Sequence, residues 1–135
     1  MNDNEFLRAL ESCKLPESQF DHVAHVRAAY LYLQQTDFAG ALDRIGRAIR
    51  NYATHHGMPD RYHATITVAY VSLIQQHICE RGNGGGWEAF ARGSSELFKA
   101  DLLAQFYPKP QLESEMARRV FVLPRLAPTR SAACS

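Results

Sequence analysis

Residues 18–35 read S-Q-F-D-H-V-A-H-V-R-A-A-Y-L-Y-L-Q-Q, and positions 28–33 within them are apolar or aromatic without a gap. A helix that is apolar all round is one surrounded by protein. No stretch of the chain alternates as a half-buried strand would, so this central helix decides the fold class. It is predicted to run from about Glu17 or Ser18 to Gln35, with Ser18 capping the free amides of its first turn.

The rest of the chain reads as helices packed around that one. A short helix is expected over about 4–13, stopped before Pro16. Thr36 or Asp37 starts a third, which runs to about His55 and ends at Gly57, a residue suited to a helix stop. Met58-Pro59-Asp60 turns the chain into a fourth, about 59–80. Pro59 fits a first helical position because its missing N–H has no partner there anyway. Ile66, Ala69, Tyr70, Leu73, Ile74 and His77 keep helical spacing and commit one face of this helix to the core.

Residues 81–86, R-G-N-G-G-G, form the clearest break. No strand precedes them and no Gly-Lys-Ser/Thr follows, so they are a link and not a phosphate loop, and no nucleotide cofactor is indicated. Shorter helices are expected over about 87–92, 95–107 and 111–120. The expected architecture is an all-α, single-domain helical bundle: four main helices plus two or three shorter C-terminal ones over 1–123, then a flexible tail over 124–135.

Composition narrows the function classes. Fifteen basic against fourteen acidic residues give no basic face for nucleic acid. No apolar run has the length of a bilayer span. The acidic, amphipathic start M-N-D-N-E-F-L-R is unlike a secretory signal. Cys13, Cys79 and Cys134 have no paired spacing, so reduced thiols in a cytoplasm are expected, two of them small core residues.

The residues that suggest chemistry are histidines. Short connections make successive helices antiparallel neighbours. The starts of the second and fourth helices and the end of the third then lie at one end of the bundle, which gathers His22, His25, His55, His56 and His63. His22 and His25 are three apart and share a helix face. Three neutral imidazoles on rigid helices suit Zn, Fe or Cu. A helix N-terminus disfavours imidazolium and would attract an anionic substrate group. Tyr62 precedes His63 at the expected pocket mouth and Thr67 follows it by four, so both are candidates to line the site.

A structural reading stands beside this one. H-x-x-H lacks the H-E-x-x-H spacing of the zinc proteases. His22, His25 and His63 are also suited to hydrogen bonding neighbouring backbone, and Thr65 and Thr67 to bonding back onto helix carbonyls. His55 and His56 suit a solvent-facing helix end, and His77 a place on the core stripe.

The segments Phe20-Asp21-His22-Val23-Ala24-His25 and Tyr62-His63-Ala64-Thr65-Ile66-Thr67 resemble a bacterial family of short all-helical proteins of uncharacterised function, with F-x-H-x-x-H and Y-H-x-T-[IL]-T segments. Ser114-Glu115-Met116-Ala117-Arg118 and Phe121-Val122-Leu123-Pro124 are similar to its S-x-x-A-R and F-V-x-P stretches. The resemblance implies that Arg118 folds back on the pocket, as an anion clamp or as a strut. Relatives carry Glu where this chain has Ala64, and Asp where it has Arg125, so a carboxylate role at position 64 is lost.

The preferred expectation is a small metal-dependent enzyme, oxidative or hydrolytic on a small molecule. His22, His25 and His63 would hold a divalent transition metal (Fe, Zn or Cu), and Tyr62, Thr67 and Arg118 would line its open position. One alternative is a metal-free enzyme with the same pocket, using His22 or His63 as general acid/base on a small anionic or carbonyl substrate. The other is a helical binding module. A homodimer through an exposed helical face is compatible with the charge pattern, which locates none.

Overall fold

The computed structural model describes residues 1–82 and 84–125. Its described residues form α1 (Asp3–Glu11), α2 (His22–Gln35), α3 (Phe38–His55), α4 (Ala64–Arg81), α5 (Trp87–Gly93), α6 (Lys109–Leu112) and α7 (Glu115–Arg119). Single 3-10 turns at Glu17–Gln19, Pro59–Arg61, Ser95–Phe98 and Leu102–Gln105 join them. The protein is all-α, and no helix of the described residues is long and apolar enough to cross a membrane. The tail expected over 124–135, Cys134 included, lies from residue 126 onward outside the described residues.

Helix α2 is the hub, packed on α3 and α4, which also pack on each other. Ala24, Val26 and every position from Ala28 to Tyr32 on it are buried, as an apolar circumference demands. Ile45, Ile49 and Tyr52 of α3 and Val71 and Ile74 of α4 complete the centre. Helix α1 lies on α3 with Phe6, Leu7 and Leu10 inward.

The main helices form as expected, but two of them begin later. Glu17–Gln19 is a separate turn, and the cap of α2 is Asp21, whose carboxylate accepts the Ala24 amide at 2.9 Å. Aspartate at that position does the work expected of Ser18, which frees Phe20 from the helix to stack on the His25 ring at 3.9 Å. Pro59 opens only a 3-10 turn; Tyr62 and His63 are extended, and His63 is itself the cap of α4.

The helix expected over 95–107 is two 3-10 turns, with Lys99 extended between them (φ −75°, ψ 134°). In one continuous helix, at about 100° per residue, Leu97 would stand about 120–140° round from Leu102 and Leu103. The break lets Leu97 at 0 % exposure, Leu102 and Leu103 all reach the core. Burial here overrides helical continuity.

Candidate functional site

The three helix ends do meet. One small cavity is lined by Phe20 and His25 from the α2 region, Tyr52 and His56 from the end of α3, and Met58 and Arg61 from the link to α4. His22, His25 and His63 each bond a main-chain carbonyl.

His63 has both ring nitrogens engaged. Its Nδ1 accepts the Ile66 amide at 3.1 Å, and its Nε2–H donates to the Leu112 carbonyl at 2.8 Å. The partners dictate that tautomer, since an amide only donates and a carbonyl only accepts. His22 Nε2–H donates to the Leu97 carbonyl at 3.0 Å, with its ring edge-on to Tyr70. His25 Nδ1–H donates to the Asp21 carbonyl at 2.8 Å. His22 and His25 share a second cleft with Thr67, but His63 does not line it. Among the described residues no three His, Cys, Asp or Glu side chains stand as a metal-ligating group. A metal ion on all three rings would have to replace at least one of the two bonds of His63.

The other candidates are also placed. Tyr62 lies across α3, under the Arg50 guanidinium at 5.0 Å and beside Gly46. Thr67 Oγ1–H bonds back to the His63 carbonyl at 2.8 Å. Arg118 donates to the Asp60 carbonyl at 2.7 Å, which makes it a strut to the link before α4.

These contacts share a purpose. Thr65, fully buried, donates to the Val120 carbonyl at 3.0 Å and accepts the Val122 amide at 3.1 Å. With His63 and Arg118 it clips residues 112–122 onto the start of α4, and His22 holds the Ser95–Phe98 turn to the start of α2. Residues 94–125 have little regular helix of their own, so their backbone groups need such partners. The polar residues of the two histidine segments supply them.

The arrangement suited to chemistry lies one residue past α3. His56 Nδ1 is 3.1 Å from the Glu17 carboxylate, a pair spanning the end of α3 and the turn before α2. A carboxylate accepts, so Nδ1 carries a proton, and in the neutral ring Nε2 then carries the lone pair. That Nε2 is buried and has no hydrogen-bond partner among the described residues, an uncommon state for a buried polar atom. Tyr52 packs against the ring at 4.2 Å between centroids, with its own hydroxyl engaged by the Leu15 carbonyl.

His25 lines the same cavity. Burial pushes its pKa below the ordinary histidine value, with the Asp21 carbonyl opposing and the neighbouring His22 acting in the same direction as burial. Its ring is therefore neutral near pH 7, with the proton on Nδ1 and a lone pair on Nε2. Sequence reasoning placed His56 on a solvent-facing end and did not single out Glu17. Their pairing is a long-range contact across 39 positions, and no local spacing announces it.

Compared with known proteins, the chain matches no family model, no curated protein and no solved structure.

Proposed function

We propose that the protein is a small-molecule enzyme of the metal-free acid/base kind, with Glu17–His56 as its proton-transfer pair and His25 as a neutral wall of the same cavity. The observation that carries this reading is the His56 Nε2: buried, unpartnered among the described residues, and backed through Nδ1 by a carboxylate. A carboxylate on the far nitrogen fixes the tautomer and ring orientation, which leaves the near nitrogen ready to accept a proton. When Nε2 takes a proton from a substrate, the negative charge stays on the substrate and the imidazolium faces Glu17. Return of that proton to the product restores the neutral ring.

Long-range proton–nitrogen spectra of the full chain, purified without a histidine tag and analysed for metals, test the reading. The expected result is a His56 ring protonated at Nδ1 at neutral pH, with Glu17→Gln mixing the tautomers and no stoichiometric metal present. A ring protonated at Nε2 would overturn it. Near-stoichiometric metal that vanishes in a His22→Ala/His63→Ala double variant would put the metal centre in its place.

A further inference from the structure

We propose that this cavity takes a short-chain hydroxycarboxylate, its carboxylate on Arg61 and its hydroxyl at His56 Nε2. The proposal deepens the function just given and rests on the cavity being a small-molecule site.

Size sets the first limit. The enclosed space is about 80 Å³. An apolar protein cavity of about 150 Å³ is filled by the six heavy atoms of benzene, so the space here takes about three, with the carboxylate oxygens of the ligand outside it at the exposed Arg61. A nucleotide or a sugar phosphate is far too large to be enclosed.

Charge sets the second. Arg61 lines the cavity, is exposed, and its guanidinium has no hydrogen bond or ion pair among the described residues. The arginines of other clefts are engaged: Arg27 on Asp3 at 2.8 Å, Arg44 on Gln35 at 3.0 Å and Arg47 on Asp43 at 2.6 Å. A guanidinium presents a planar fork that matches a carboxylate in two parallel bonds. A single negative charge balances it. A phosphate dianion would add a second charge beside Glu17, which lines the same cavity.

The walls set the third. Phe20, Ile49, Ala53 and Met58 offer apolar surface, and Tyr52 offers only its ring because its hydroxyl is bonded to Leu15. A short carbon body fits among them. His56 Nε2 has no partner among the described residues and is closed to solvent, so a ligand O–H reaches it with a small displacement of the cavity wall. A hydroxyl then satisfies a nitrogen that a plain fatty acid would leave bare.

The test titrates glycolate, propionate, glycolamide and inorganic phosphate into the full chain and follows the His56 ring and Arg61 side-chain resonances. Glycolate should give saturable shifts of both, with Kd on the order of millimolar for so small a ligand. Propionate should bind several-fold more weakly, while glycolamide and phosphate should give no saturable shift. Arg61→Gln, an exposed position that does not threaten the fold, should weaken glycolate at least tenfold. Glycolamide or phosphate binding as well as glycolate would overturn the proposal, as would an unchanged Kd in Arg61→Gln or the absence of any glycolate response. The same spectra report the His56 tautomer. A ring protonated at Nδ1 without a glycolate response removes the ligand class alone, and a ring protonated at Nε2 removes the proton-transfer reading with it.

Discussion

Replacing His63 separates a strut from a metal ligand. Its Nδ1 caps α4 by accepting the Ile66 amide at 3.1 Å, and its Nε2–H reaches the Leu112 carbonyl at 2.8 Å. Loss of an N-cap costs about 1 kcal/mol. Loss of the second bond costs about 1 kcal/mol more, because the ring is only partly buried and water can replace some of it. His63→Ala should therefore destabilise the chain by about 2 kcal/mol, a fall in Tm of about 6–10 °C for a domain of this length. His63→Asn keeps a good capping oxygen but cannot span to Leu112, and should recover about half of the loss. Urea and thermal unfolding followed by circular dichroism measure both, in metal-free buffer and with added zinc. The reasoning fails if His63→Ala is neutral, if asparagine is no better than alanine, or if zinc stabilises the parent chain but not the variants.

Three further outcomes follow from other contacts. Thr65→Val keeps the side-chain shape but leaves the Val120 carbonyl and Val122 amide without their partner, so urea unfolding should show a loss of about 2 kcal/mol. The Val122 amide should then exchange faster than amides within α2, and unchanged protection would count against the clip. The pKa of His25 is held below 6.5 in the folded state, so the unfolded chain binds the proton first and stability should fall as pH drops below about 6.5. His25→Phe should flatten that part of the stability–pH curve relative to the parent, and an unaltered slope would show that other groups cause it. Gly84 and Gly85 both have positive φ (75° and 81°), but a Cβ on Gly84 would stand 2.7 Å from the Phe90 backbone nitrogen while one on Gly85 meets nothing within 4 Å. Gly85→Ala should cost about 1 kcal/mol for its conformation alone, and Gly84→Ala clearly more, because α5 must shift. Equal unfolding midpoints for the two would contradict the close approach.

What could be read in advance follows from how local each determinant is. The apolar circumference of α2 is a local pattern and is buried where the spacing places it. Of the α4 stripe, Ile74 is fully buried and Tyr70 and Leu73 are partly so, whereas Val71 takes a central place that the stripe does not include. The meeting of three helix ends follows from short connections, also a local property. Cap choice was less legible, because Asp21 and Ser18, or His63 and Pro59, compete and the winner depends on what Phe20 and Tyr62 pack against. The 95–107 region is illegible to periodicity because Leu97 would stand about 120–140° round a continuous helix from Leu102 and Leu103, yet all three reach the core. The histidine segments were recognisable as special, yet their partners (Leu97, Leu112, Val120) are main-chain groups dozens of positions away. A carbonyl leaves no mark in a sequence. Glu17 and His56 meet for the same non-local reason.

The clip on residues 94–125 has a consequence for how this chain can vary. Apart from Arg118, which reaches out from the held segment to the Asp60 carbonyl, the grip is that of His22, His63 and Thr65 on carbonyls and an amide, and those groups are the same whatever side chain sits above them. The anchorage is thus blind to residue identity on the side that is held and strict on the side that holds. Leu112, Val120 and Val122 are free to drift as far as their own packing permits, while each holding residue admits few replacements. A segment attached in this way can be rewritten for a new surface or a new partner without its attachment being rebuilt.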